Sequence, residues 1–130
     1  MRNPLRFDAN ISALDAIALS QQATANDVAN ANTDGYKSSD VLLETGPEGQ
    51  GVQVSEVRQD TSAGPAVRYE DVSYTQQGGD MAVQEVVEGS NTDYVHETVN
   101  MIRDENAYAA NVRAIRSQME LIGNFIDEVA

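Results

Sequence analysis

The C-terminal stretch from Tyr94 to Val129 constrains this chain more than any other. Alternating steps of four and three residues pick out Tyr94, Thr98, Met101, Glu105, Tyr108, Val112, Ile115, Met119, Ile122, Ile126 and Val129, an apolar seam broken only at Thr98 and Glu105. That spacing is a sustained heptad. No proline interrupts it and its only glycine is Gly123, so the segment can run as one helix of about 37 residues, roughly 55 Å at 1.5 Å per residue. A protein of 130 residues cannot bury so long a seam by itself. It needs a partner helix of similar length, and the opposite terminus offers one.

At that terminus Asn3 is placed to cap a helix, and Pro4 suits a first turn where its missing N–H costs nothing. The same steps then give Phe7, Ile11, Leu14, Ala18, Gln21, Ala25, Val28 and Asn32, strong at first and later small and polar. The pattern predicts a helix over about residues 4–31, whose Ala23, Ala25, Ala29 and Ala31 allow another helix to approach closely. The expected fold class is mostly α with a small β part. Long N- and C-terminal helices pair as an antiparallel coiled coil, and a short β-rich, partly mobile middle segment joins them.

Three parts follow: an N-terminal axial helix and its loop over 1–37, a β-rich middle over 38–90, and a C-terminal axial helix over 91–130. The first helix runs into Asn30, Ala31, Asn32, Thr33, Asp34, Gly35, Tyr36 and Lys37, whose Asn, Asp and Gly residues supply a turn that can visit positive φ. Asn30, Asn32, Asp34, Gly35 and Ser38 also fall at calcium-loop positions one, three, five, six and nine. The twelfth position, which needs a bidentate Glu, is Val41. A plain helix end is therefore the preferred reading. The middle holds seven of the nine glycines and ten acids against two arginines. Val52, Val54 and Val57, then Val67, Tyr69 and Val72, suggest two or three short strands, with Met81 to Val87 as a further one. Ser90 or Thr92 can cap the second helix, with Asp93 and Glu97 as acids in its first turn.

Composition narrows the chemistry. Two Phe, five Tyr and no Trp make a thin core. The lack of Cys excludes disulfides and thiolate sites, and a net charge of -13 makes nucleic acid a poor partner. No stretch is long and apolar enough to span a bilayer, and Arg2 and Arg6 are followed by a polar amphipathic run rather than a secretory apolar region. If the chain works outside the cytoplasm, the expectation is that it is exported without a cleaved signal peptide.

No catalytic constellation emerges. His96 is the single histidine, and His96-Glu97 begins a zincin pattern that fails at Asn100; His96 reads as an exposed helix residue. Adjacent acids such as Asp104 with Glu105, or Glu70 with Asp71, point in different directions and read as solvated faces. Asn10-Ile11-Ser12 matches a glycosylation acceptor but falls inside the predicted helix. No enzyme activity, cofactor or metal is expected.

The run from Ala25 to Lys37, with Asn26, Val28, Ala29, Asn30, Asn32, Thr33, Gly35 and Tyr36, resembles the N-terminal motif of bacterial flagellar rod and hook proteins. Glu88, Gly89, Ser90, Asn91 and Asp93, with Val99, Met101, Ile102, Ala107, Tyr108, Ala110 and Asn111, resemble that family's C-terminal motif. In the short middle, Gly51 to Val54 and Asp60, Ser62 and Pro65 look closest to the small proximal rod proteins. Asp27 stands where the motif usually has Asn, Glu105 and Asn106 where Gln-Arg is usual, and a His-Pro loop typical of one proximal subtype is missing.

The resemblance implies a structural subunit of the flagellar basal-body rod, assembling helically through its terminal helices and transmitting torque across the periplasm. It implies copies of itself and other rod subunits as partners, and passage through the flagellar type III export apparatus. Its expected assembly interface comprises Phe7, Ile11, Leu14, Val28, Asn30, Asn32, Thr33, Gly35 and Tyr36 from the first part. Met101, Tyr108, Val112, Ile115, Met119, Ile122 and Ile126 complete it. The alternative is a soluble helical adaptor or export chaperone of the flagellar system.

Overall fold

A computed structural model of the chain describes residues 7–129. The expected cap Asn3, Pro4 and the flanking Arg2 and Arg6 lie outside the described residues. Helix α1 (Asp8–Ala29) is rich in alanine, contains neither Gly nor Pro, and carries Asp8 in its first turn, where the helix dipole favours an acid. It ends where Asn30 folds back, its Nδ2 donating to the carbonyl of Asn26 at 2.9 Å. Gly35 then takes φ +68°, the left-handed conformation the turn requires.

Four strands follow: β1 (Ser39–Thr45), β2 (Val52–Gln59), β3 (Ala66–Gln76) and β4 (Gly79–Glu88). They form two separate antiparallel pairs, β1 with β2 and β3 with β4. The first pair sets Val41 opposite Val57 and Leu43 opposite Val54, with a bulge between Leu42 and Leu43. It docks on α1 at Gly51, which has φ +71° and where a Cβ would lie 2.2 Å from Ser12 Oγ. Ser12 Oγ also accepts the N–H of Val52 at 3.2 Å. The second pair is a long hairpin turning on Gln77 and Gly78, and most of its length is exposed on both faces. Its order comes from cross-strand partners such as Val72 with Val83 and Tyr74 with Met81.

Helix α2 (Tyr94–Val129) closes the chain. Its cap is Asp93, whose Oδ1 accepts the N–H of Val95 at 2.9 Å, rather than Ser90 or Thr92. Those two hydroxyls bond each other at 2.8 Å in the approach to the helix.

The expected fold class needs correction on two counts. The β part is not small, since four strands in two sheets separate the helices. The helices also do not form a coiled coil. They run antiparallel, with Ser20 Oγ donating to Asp104 Oδ2 at 2.6 Å and Thr92 Oγ1 donating to the Asp27 carbonyl at 3.1 Å. But α1 has 22 residues against 36 in α2, and the two pair loosely. A cavity of about 320 Å³, lined by Ser20, Thr24, Asp40, Asn100, Arg103 and Asp104 among others, opens between them and β1.

The stripe that α1 buries is Ala13, Ala16, Ile17, Thr24 and Asp27. In α2 it is Glu97 and Asp104, with Asn100, Ala107, Asn111, Ala114 and Gln118 half-buried along the same line. Both stripes lie mainly one residue before the predicted seams, a rotation of about 100° at 3.6 residues per turn. Ile17 apart, the buried stripes are therefore small or polar, where knobs-into-holes packing needs bulky apolar residues throughout. The buried apolar core among the described residues is Ala13, Ala16 and Ile17.

Candidate functional site

The two stretches that carry the family resemblance, far apart in sequence, meet at one joint. Gly35 N–H donates to the Glu88 carbonyl at 2.8 Å, and Asn91 N–H to the Tyr36 carbonyl at 3.1 Å. Asn91 Oδ1 accepts the buried N–H of Ser38 at 2.7 Å, while its Nδ2 donates to the carbonyls of Asp60 and Ser62 at 2.7 and 3.0 Å. Lys37 pairs with the Glu88 carboxylate, which also accepts the N–H of Gly64 at 2.6 Å. These two donors hold the Glu88 carboxyl below its ordinary value of 4.5. Asp34, one of the residues considered for calcium, pairs with Arg68 at the root of the β3–β4 hairpin at 2.5 Å.

Beneath the joint lies a pair of carboxyls that sequence reasoning missed. Asp27 is 0% exposed and Glu97 is 1% exposed. Asp27 is well supplied with donors: Tyr36 OH reaches its Oδ1 at 2.8 Å and Ser39 N–H at 3.1 Å. Glu97 is not, and its buried Oε2 finds no hydrogen-bond partner among the described residues. Burial first, then the hydrogen bond and charge of Asp27, push the Glu97 carboxyl up to about 7. Burial and the Asp27 hydrogen bond likewise push the Tyr36 phenol up to about 12. The departure from the family motif at Asp27 thus sits at the centre of the joint. The signal for it was the acid at a position just before an apolar seam residue, Val28.

The expected interface residues divide into two groups. Asn30 and Tyr36 work inside the chain, Asn30 on the end of α1 and Tyr36 on Asn26 and Asp27. Thr33 Oγ1 donates to Asn30 Oδ1 at 3.0 Å. Asn32 and Gly35 face solvent. On the helices, Phe7, Leu14, Val28, Val112, Ile115 and Ile122 are half-buried, whereas Ile11, Met101, Tyr108, Met119 and Ile126 are exposed. Off the expected seam, Val95, Val99, Ile102, Leu121 and Phe125 are exposed as well. Helix α2 therefore presents exposed apolar side chains in two groups, from Tyr94 to Tyr108 and from Met119 to Val129. Scattered apolar residues are normal on a surface, but clustered ones mark an interaction site.

Among the described residues, one set of metal-capable side chains gathers, Asp40, His96 and Glu97. No helix among them is long and apolar enough to cross a membrane. A comparison with curated proteins found no match. Residues 83–127, from within β4 to near the end of α2, match the family model described as flagellar basal body rod FlgEFG protein C-terminal. Strand, capped turn and exposed apolar helix are thus the part of the chain that supports placing it in the flagellar basal-body rod protein family, whose members are structural rather than enzymatic.

Proposed function

We propose that the chain is a structural subunit of the flagellar basal-body rod, joining copies of itself and other rod subunits through the apolar surface of α2. The observation that carries this reading is the exposure of Met101, Tyr108, Met119, Phe125 and Ile126 along one helix of 36 residues, of which α1 covers only part. Burying a side chain of this size is worth about 1.5–3 kcal/mol, so several of them together favour association strongly. A contact between two different faces, repeated along an axis, builds a filament rather than a closed ring. A rod that transmits torque needs such contacts. Delivery through the flagellar type III export apparatus and a place in the periplasmic rod belong to the same reading. The stretch Asn30 to Tyr36 would serve next to it, with Asn32 free to reach a neighbouring subunit.

The joint between the two motifs gives the subunit a fixed elbow from which α2 projects. Assembly and folding of the single chain then depend on different residues. Met101→Asp and Met119→Asp, both on the exposed surface, should leave the free chain's unfolding midpoint within about 0.5 kcal/mol of the parent's. In motile cells both variants should be made and exported yet fail to enter isolated basal bodies, and swimming should be lost. Normal rods built from either variant would remove α2 as the joining surface.

A further inference from the structure

Glu97 is the feature left without an explanation by the rod reading. A buried carboxylate oxygen with no partner is costly, and no donor among the described residues reaches Glu97 Oε2. Asp27, its neighbour on the α1 side, already accepts from Tyr36 and Ser39, and its hydrogen bond with the Glu97 carboxyl still leaves Oε2 without a partner. On the other side lies a cavity of about 260 Å³ lined by Ser38, Asp40, Asp60, Asn91, Asp93, His96 and Glu97. Four carboxylates and one imidazole thus share its wall, with no Lys or Arg among them.

Three of these side chains converge. His96 Nε2 lies 2.8 Å from Asp40 Oδ1, and one ligand atom from each of Asp40, His96 and Glu97 lies within 4.8 Å of the others. Atoms so close together can be drawn onto one ion at ordinary coordination distances of about 2.0–2.2 Å. We propose that Asp40, His96 and Glu97 bind a single divalent transition-metal ion of the zinc class, tying β1 to the first turn of α2. One nitrogen and two carboxylate donors suit such an ion better than they suit calcium, which takes six to eight oxygens. Waters complete the shell from the open side of the cavity. Asn100 Nδ2, 3.4 Å from Asp40 Oδ1, is placed to donate to that ligand and steady it. The ion would supply Glu97 with the partner that the protein does not.

Because His96 is the chain's single histidine, its ring is a direct reporter. Zinc chloride is titrated into the full chain while the imidazole nitrogens are followed by long-range proton–nitrogen NMR and the heat of binding by calorimetry. One equivalent should shift Nε2 and saturate the signal. Asp40→Asn, His96→Gln and Glu97→Gln should each weaken binding about tenfold or more, whereas Asp71→Asn on the β3–β4 hairpin should leave it unchanged. Circular dichroism checks that each variant folds. His96→Gln alters an exposed side chain, so it stays informative if Glu97→Gln does not fold. An unmoved imidazole at equimolar zinc would overturn the site. So would unaltered affinity in folded His96→Gln, since zinc would then be held by scattered surface acids.

Discussion

Replacing Asn91 by Ala removes the side chain that stitches three segments together. Its Oδ1 is the acceptor for the N–H of Ser38, a buried residue, and its Nδ2 donates to Asp60 and Ser62 at the turn after β2. The orphaned Ser38 N–H dominates, because a buried donor left unpaired costs about 1–3 kcal/mol. The two carbonyls belong to exposed residues that water can reach, so each adds about 0.5 kcal/mol, the low end for a net hydrogen bond. The expected loss is about 2–4 kcal/mol. Asn91→Asp keeps the acceptor for Ser38 but turns a carboxylate toward two carbonyls, and should lose about as much. Urea unfolding of the free chain measures both, with the slope expected to stay constant because the surface exposed on unfolding is unchanged. Hydrogen exchange gives an independent reading, since the Ser38 amide should lose protection in Asn91→Ala. A change in stability under about 0.5 kcal/mol, or a Ser38 amide protected as in the parent, would refute the account of the joint.

Gly35→Val places a β-branched residue at φ +68°, and should cost about 1 kcal/mol or more by urea unfolding although no neighbouring atom crowds the position; Gly35→Asn should cost less. Glu88 titrates below its ordinary value because Lys37 and the Gly64 N–H hold its charged form. Its contribution is present above pH 4.5 and is lost as pH falls through the lowered value. Glu88→Gln should therefore flatten the loss of stability as pH falls below about 4.5, and an identical acid profile for parent and variant would exclude the tie. Asn32→Ala removes an exposed side chain, so it should leave the unfolding midpoint within about 0.5 kcal/mol and export intact while rods stop growing at this subunit. Following secretion and rod completion in one strain separates those outcomes, and a variant that completes normal rods would free Asn32 of any joining role.

Much of the frame could be read from residue order. A proline-free heptad over the last third of the chain allows hardly anything but a long helix, and Asn30 to Gly35 end α1 through local geometry. Gly35 needs positive φ whatever surrounds it. Other elements were less legible for physical reasons. In β1, Val41, Leu42 and Leu43 form an unbroken apolar run with no alternation to mark a strand. In β3, Glu70 and Asp71 interrupt the alternation, and the hairpin is ordered by cross-strand pairing rather than by a buried face. Hydrophobic periodicity cannot detect that kind of order.

The phase of the helices was also beyond local reading. A heptad specifies that a helix has a stripe, but neighbouring stripes differ by one residue, and the apolar one need not be the one turned inward. In this chain the joint made by Tyr36, Ser38, Asn91 and Thr92, together with the docking of β1 and β2 on α1, sets how the helices face each other. That places Ser20 on Asp104 and Asp27 beside Glu97, and leaves Met101, Tyr108, Met119 and Ile126 outside. The sequence alone therefore determined two long amphipathic termini and the turns that end them. Which stripe is spent within the chain and which is left for a partner was decided only by the tertiary contacts, because the hydrogen bonds that tie α1 and its loop to α2 join residues more than fifty positions apart.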